Sequence, residues 1–127
     1  MQYLTYDEYR RMGGELDETD FSIKEQEAEM EINFLTDRRL VLDTAIPGEV
    51  KNLTFNLIDL ISQKAAYETT DKGMMLSASN DGVTATYAKQ TAQEFLDGYE
   101  DNLKKMIVKY LYGLTNQAGE SLIYRGW

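Results

Sequence analysis

Carboxylates are the only abundant side chains in this sequence that could do chemistry. Glu25 and Glu29 are four residues apart, as are Glu27 and Glu31, so on a helix either pair could in principle share a metal ion. Metal sites in helical bundles recruit glutamates from several helices, often with a histidine, and this chain has no histidine. We therefore interpret the four glutamates as a solvated acidic face, and we predict no metal site and no cofactor.

Two residue types that are common in nucleophilic catalysis are also missing. The chain has neither cysteine nor histidine, which excludes disulfides, thiolate zinc sites and histidine-activated nucleophiles. Gly13-Gly14 has neither the glycine spacing nor the Lys-Ser/Thr of a phosphate loop. Asp97, Glu100 and Asp101 lack the residue order of a calcium loop. We therefore predict that the protein is not an enzyme.

The acidic residues are concentrated in the first part of the chain. Residues 1–49 hold 13 Asp/Glu and 5 Lys/Arg, whereas residues 50–127 hold 9 and 8. Such a surface repels the phosphates of nucleic acids, so we do not expect tight DNA or RNA binding. The chain has no apolar run of the roughly 18–20 residues that a membrane span needs and no secretory signal pattern, so we expect cytoplasmic synthesis and no membrane contact.

Two groups of residues are candidates for contact with a partner. Arg38 and Arg39 form a basic island that could pair locally with Asp37 and Asp43 or contact an acidic neighbouring subunit. The second group is the aromatic and apolar end of the chain, where such residues are typical interface anchors. Packing of this tail on its own domain is at least as good an interpretation. The partner-binding candidates are Arg38, Arg39, Tyr112, Leu122, Ile123, Tyr124, Arg125, Gly126 and Trp127.

A short first helix has complete start and stop signals. Thr5 is a predicted N-cap with Glu8 at the capping-box spacing, and Gly13-Gly14 is the predicted stop. A helix this short is not stable alone in water, so it must lie against the rest of the protein. The residues expected to make that contact are apolar: Leu4, Tyr6, Tyr9 and Met12.

Three longer helices are predicted from apolar residues at helical spacing. Their expected bounds are Thr19 or Asp20 to about Leu35, Pro47 to about Tyr67, and about Thr91 to Tyr112. On the second helix, the core-facing stripe is predicted to contain Phe21, Ala28, Ile32 and Leu35, widened by Met30 and Phe34.

The segment around residues 68–89 breaks the helical rhythm. The turn signal Asn80-Asp81-Gly82 separates two runs in which apolar and polar residues alternate, which is typical of a β-hairpin or an extended loop. We therefore predict an all-α fold: a small bundle of about four helices, one short and three longer, with a protruding loop or β-hairpin around residues 68–89 and an extended C-terminal tail. Residues 1–127 are expected to form a single domain.

The order of these pieces resembles the head–tail connector proteins of tailed phages and prophages, also called head-completion or adaptor proteins. The resemblance covers nearly the whole chain, from Tyr3 to Trp127. Its five pieces are a start Tyr-Leu-Thr-Tyr-Asp-Glu-Tyr followed by Met-Gly-Gly, an acidic second helix, a Pro-led third helix, a polar segment with Asn-Asp-Gly-Val, and a tail with Leu-Ile-Tyr-Arg-Gly.

The resemblance implies a non-enzymatic virion assembly protein, made in the host bacterial cytoplasm. Members form a ring, typically of about twelve subunits, between the portal protein and the tail-side completion protein. The ring extends the channel through which DNA passes without specific binding. Free subunits are often monomeric and rearrange loops and tails on docking. By position, Tyr124, Arg125 and Gly126 match the family's terminal element, which contacts the portal or a neighbouring subunit.

A function of another class also fits the acidity of residues 1–49. A small acidic regulator or inhibitor could bind the basic surface of a host nucleic-acid-binding protein, through contacts that salt would weaken. The residues alone leave both functions open.

Overall fold

The fold is an all-α bundle, as predicted, in a computed structural model that describes residues 2–77 and 82–123, with side chains described for residues 2–68 and 92–123. The four helices are α1 (Tyr6–Arg11), α2 (Glu18–Leu35), α3 (Gly48–Ser77) and α4 (Gly82–Leu111). Helices α3 and α4 form the main pair, α2 packs mostly on α3, and α1 lies on α2. No strand occurs within the described ranges, and no helix there is long and apolar enough to cross a membrane.

The predicted local signals determine both ends of α1. The Thr5 hydroxyl accepts a hydrogen bond from the Glu8 N–H at 3.2 Å, and the Glu8 carboxylate accepts one from the Thr5 N–H at 3.0 Å. Gly13 has a φ of +99°, and the N–H groups of Gly13 and Gly14 donate back to carbonyls of the last turn. The capping box and the left-handed glycine stop are therefore confirmed.

An aromatic cluster attaches α1 to the longer helices. The Tyr9 ring is buried, and its centroid lies 4.8 Å from that of Phe21 on α2 and 5.6 Å from that of Phe55 on α3. Leu4 is also buried, as predicted. Met12, which was expected to face the core, is 38% exposed, so that part of the prediction is wrong.

Helix α2 begins slightly earlier than predicted and buries a narrower stripe. Asp17 is its N-cap and accepts a hydrogen bond from the Asp20 N–H at 2.8 Å. The predicted core residues Phe21, Ala28, Ile32 and Leu35 are all buried. Met30 and Phe34 are 70% and 75% exposed, so their assignment to the core is wrong. At about 100° per residue these two positions lie on the opposite side of the helix from the buried stripe.

Helices α3 and α4 are both longer than predicted. Residues 68–77 continue α3 and residues 82–89 belong to α4, so the predicted hairpin or loop is wrong for them. Extension of a formed helix fixes one residue for each added hydrogen bond, and neither helix contains a proline, since the one proline of the chain, Pro47, precedes α3. Residues 78–81, which include most of the predicted turn, lie outside the described residues.

The close approach of Gly14 to Tyr9 gives a test of how tightly α1 is packed. A Cβ atom added at Gly14 would overlap the Tyr9 ring, which Phe21 and Phe55 hold in place. We expect Gly14→Ala to lower the free energy of unfolding by about 2–3 kcal/mol in urea titrations. The matched control is Gly48→Ala, because a Cβ there meets nothing within 4 Å, and it should lose no stability. Equal curves for the two variants would contradict this packing.

Candidate functional site

Two segments that are distant in sequence meet in the fold. The arginine loop (residues 36–47) connects α2 to α3, and the C-terminal turn (residues 112–123) follows α4. The Arg39 guanidinium donates a hydrogen bond to the Ser121 carbonyl, and the Asn116 side chain donates one to the Arg39 carbonyl at 2.8 Å. We call this combined surface the loop–turn face. It brings the predicted basic island next to the start of the predicted tail.

Further hydrogen bonds fix the geometry of the loop–turn face. The Asp43 carboxylate is buried and accepts from the Gln117 N–H with its two oxygens at 3.3 and 3.2 Å. The Gln117 side-chain oxygen accepts from the Thr44 N–H at 2.8 Å. Asp43 therefore holds the C-terminal turn, a role that the sequence did not indicate. Because both segments hold each other, their surface is preorganised for binding.

Arg38 occupies a backbone conformation that an arginine rarely adopts. Asp37 and Arg38 have φ angles of +52° and +59°, in the left-handed region that costs a non-glycine residue about 1–2 kcal/mol. The Arg38 side chain is exposed, and no residue in the described ranges forms an ion pair with it. A strained position that keeps an exposed arginine instead of a glycine supports a functional reason for the side chain.

This strain can be measured with two variants of the same residue. We expect Arg38→Gly to raise the free energy of unfolding by about 0.5–1 kcal/mol, because glycine adopts a positive φ without a steric penalty. Arg38→Ala keeps the penalty and should stay within about 0.5 kcal/mol of the wild type. Thermal unfolding of the three proteins gives the comparison. Identical stability of the glycine and alanine variants would argue against the strained conformation.

The first two residues of the predicted tail belong to the protein's own core. Leu122 and Ile123 are 0% and 6% exposed, and the Leu122 N–H donates to the Leu114 carbonyl at 2.9 Å. The chain turns back here through Gly119, which has a φ of +85°. Of the two interpretations left open for the tail, packing on its own domain holds for these two residues. They are therefore corrected from partner-binding to core residues, and the tail up to Ile123 is not extended.

The other predicted partner-binding residues have mixed outcomes. Tyr112 is 76% exposed and begins the C-terminal turn, and its contact with a partner stays a prediction. Leu42, which the sequence did not single out, is 92% exposed in the arginine loop. It lines a cleft of about 500 Å³ together with Arg38 and residues of the C-terminal turn. The contacts expected of Tyr124, Arg125, Gly126 and Trp127 remain predictions, because these residues lie outside the described ones.

Glu25 is buried, contrary to its predicted place on a solvated acidic face. Its side chain is 1% exposed, and its Oε1 accepts a hydrogen bond from the Tyr3 N–H at 3.1 Å. Burial, followed by a hydrogen bond and charge repulsion from Glu29, raises the pKa of Glu25 to about 8. The Tyr3 hydroxyl donates to the Asn33 side chain, and burial raises the pKa of Tyr3 to about 12. Glu25 therefore anchors the N-terminal segment on α2.

Within the residues whose side chains are described, no group of three or more acidic side chains is placed to hold a metal ion. Comparison with known proteins gives no relative: no family model, no curated protein and no solved structure matches this chain. The loop–turn face, with its exposed Arg38, Leu42 and Tyr112, is therefore the candidate functional site on the strength of its own geometry.

Proposed function

We propose that the protein is a non-enzymatic virion assembly protein that forms a ring between the portal and the tail of a tailed phage or prophage. The observation that carries the proposal is that hydrogen bonds of Arg39 with Ser121 and Asn116 hold the arginine loop against the C-terminal turn. Arg38 and Arg39 were predicted to contact a partner, and these hydrogen bonds hold their loop against the C-terminal turn, which begins with the partner candidate Tyr112. This ordered arrangement supports a docking role, and the resemblance of the ordered motifs supplies the class of partner.

The exposed residues of the loop–turn face have the chemistry of interface anchors. Arginine and tyrosine are enriched among the residues that dominate binding energies, and they act best where the backbone is already ordered. Arg38, Leu42 and Tyr112 provide a cation, an aliphatic side chain and an aromatic ring on two segments that hydrogen bonds hold together. Head-to-tail contacts between such a face and a different face of the next subunit would close a ring.

The charge distribution suits a ring through which DNA passes. Residues 1–49 carry 13 acidic and 5 basic side chains, and an acidic surface does not retain a polyanion. We propose that the free protein is monomeric and joins the ring on assembly. Portal protein and tail-side completion protein would be its partners, at the head–tail interface of the virion.

The test mixes the purified protein with its cognate portal protein and examines the product by electron microscopy. We expect an added ring of density on the portal for the wild type. Arg38→Glu and Tyr112→Ser should lose the ring while remaining folded by circular dichroism, because both side chains are exposed. The matched control is Arg11→Glu, an exposed arginine on α1. A wild-type protein that never decorates the portal would contradict the proposal.

A second candidate function is that of a small acidic regulator or inhibitor of a host nucleic-acid-binding protein. The acidic excess of residues 1–49 favours it. A pull-down from host lysate separates the two functions. Capture of a host nucleic-acid enzyme at low salt, lost when salt screens the contact, would support the regulator, provided that the portal is not decorated.

A further inference from the structure

Helix α2 carries a second apolar stripe on the side away from its buried one. Ile23, Met30 and Phe34 are 53%, 70% and 75% exposed. Positions seven and four residues apart lie within about 40° of each other around a helix, so these side chains share one face. With a rise of about 1.5 Å per residue, the stripe extends for roughly 16 Å along α2. We call it the outer stripe. Exposed apolar residues grouped on one face are typical of an interaction surface.

Acidic side chains border the outer stripe. Glu27 is exposed and lies on the same face, between Ile23 and Phe34. Beside Phe34, a cleft of about 240 Å³ opens between α2 and α4. Its charged lining residues are Glu31, Glu100, Asp101 and Lys104.

The balance of charge in this cleft is negative. Burial, then the negative charge of Glu100, raises the pKa of Glu31, while Lys64 acts in the opposite direction. Lys105 pairs with Asp101 at 3.1 Å, on exposed surface where such pairs contribute little. Lys104 also lines the cleft and has a partner of its own. The cleft is therefore lined by three carboxylates and one lysine, together with the apolar residues Phe34, Leu35 and Leu103.

We propose that the outer stripe binds an amphipathic helix of a partner protein whose apolar face is bordered by lysine or arginine, with one cationic side chain entering the cleft beside Phe34. An apolar stripe of this length matches about three turns of a docked helix, which anchors through residues at i, i+3 or i+4, and i+7. The long stem of a lysine or arginine would cover the Phe34 ring while its charge meets Glu31 and Glu100.

Charge decides against a second copy of this chain as the occupant. A symmetric pairing of two outer stripes would place the same face on both sides, so that Glu27 and Glu31 of one subunit would meet acidic residues of the other. Like charges brought together at an interface cost binding energy. The same carboxylates would attract the lysine or arginine side chains of a basic helix and would repel a second copy of this chain.

This inference does not depend on the proposed function. The outer stripe is on α2, whereas the loop–turn face is on the connections that follow α2 and α4. Loss of portal decoration and loss of helix binding can therefore occur separately, and different variants test each one.

The experiment titrates the full chain into two fluorescein-labelled amphipathic peptides of about 18 residues. Both peptides have a leucine face, and they differ only in bordering lysines or bordering glutamates. Fluorescence anisotropy should give an affinity at least about tenfold higher for the lysine peptide, and this preference should decrease as salt is added. Equal binding of the two peptides, or binding of neither, would overturn the proposal.

Variants place the binding on the outer stripe. We expect Phe34→Ser to lower the affinity for the lysine peptide by about tenfold or more, and Glu31→Gln to lower it by a few-fold. Met12→Ser is the control, because Met12 is an exposed apolar side chain (38%) at the end of α1, outside both the stripe and the loop–turn face. Met30→Ser provides a second exposed position, so the test does not depend on one variant remaining folded. An unchanged affinity in both stripe variants would exclude the stripe.

Analytical ultracentrifugation of the protein alone tests whether a second copy of this chain binds the outer stripe. The proposal expects a wild-type protein that does not associate through this face, so that wild type and Phe34→Ser sediment alike. Self-association of the wild type that Phe34→Ser abolishes would overturn the proposal and make a second copy the occupant.

Discussion

Deleting residues 122–127 is expected to lower the free energy of unfolding by roughly 4–6 kcal/mol, because the deletion removes two side chains of the core. Leu122 and Ile123 are 0% and 6% exposed and pack in the same apolar cluster as residues of all four helices. The deletion also removes the Leu122 N–H that donates to the Leu114 carbonyl. A loss of this size is comparable to the whole stability of many small domains.

The matched control is a shorter deletion that removes only residues 124–127. It leaves both core side chains and their backbone hydrogen bond in place, so we expect a urea midpoint close to that of the wild type. The single variant Leu122→Ala separates side-chain loss from chain shortening, with an expected cost of about 2–4 kcal/mol. A long deletion that unfolds at the wild-type midpoint would show that Leu122 contributes nothing to the core.

The pair of deletions also bears on the proposed function. If the short deletion folds normally but fails to decorate the portal, residues 124–127 are the docking part of the tail, as the resemblance implies. If it folds and still decorates the portal, docking belongs to the loop–turn face alone. The long deletion cannot make this distinction, because loss of the core would abolish assembly for another reason.

Features fixed by neighbouring residues could be predicted from the sequence. The hydrogen bonds that start α1 join Thr5 to Glu8, three residues along the chain, and the stop needs only a glycine that tolerates a φ of +99°. Such signals carry their own geometry and depend little on the rest of the fold. The helical bundle followed from apolar spacing for a similar reason.

Features that depend on distant contacts could not be predicted. Spacing shows that α2 has apolar residues on two faces, but only the packing of α3 decides that Ile32 is buried and Phe34 is exposed. The burial of Glu25 and its hydrogen bond from Tyr3, 22 residues away, likewise depend on contacts between distant parts of the chain. The candidate site depends on Arg39 meeting Ser121 across 82 residues, for which no local pattern exists.

The residues around 68–89 show a third kind of difference. Alternation of apolar and polar residues, together with Asn-Asp-Gly, predicted a hairpin there, yet residues on both sides of that turn signal are helical. Short alternating runs fit a helix as well as a strand, and arbitration needs the length of the element. Once a helix is formed, continuing it costs little for every residue added.

Glu25→Gln is expected to stabilise the protein at pH 8 by a few kcal/mol while leaving it nearly unchanged at pH 5. The Glu25 carboxyl is 1% exposed, and its pKa rises from 4.5 to about 8 through burial and the neighbouring Glu29. A raised pKa of an acid means that the folded state holds the proton more tightly than the unfolded state. The stability contribution is therefore complete below about pH 4.5 and decreases as the pH rises towards 8.

The size of the decrease follows from the shift in pKa. Each unit corresponds to about 1.4 kcal/mol, so a shift of this kind is worth on the order of 3 kcal/mol between pH 5 and 8. Glutamine imitates the protonated carboxyl, because its oxygen can accept from the Tyr3 N–H and its amide can donate to Glu29. Glutamine does not ionise, so the free energy of unfolding of the variant should not decrease between pH 5 and 8 for this reason.

The contribution of Glu8 to the free energy of unfolding has the opposite pH dependence, and it changes at acidic pH. A hydrogen bond with Lys51, followed by one from the Thr5 N–H, lowers the pKa of Glu8. A lowered pKa means that the stability from Glu8 is present above about pH 4.5 and is lost as the pH falls through the lowered value. Any decrease between pH 5 and 8 therefore has the wrong sign for Glu8 and the right sign for Glu25.

Urea titrations at pH 5, 6.5 and 8 measure the decrease in stability expected from Glu25, whereas the loss expected from Glu8 lies below this pH range. Glu27→Gln is the matched control, because it removes an exposed glutamate from the same helix. If Glu25→Gln also runs parallel to the wild type, Glu25 is ionised in the folded protein. In that case the Tyr3 N–H hydrogen bond would hold the N-terminal segment to a charged carboxylate, and the variant should weaken that attachment at every pH.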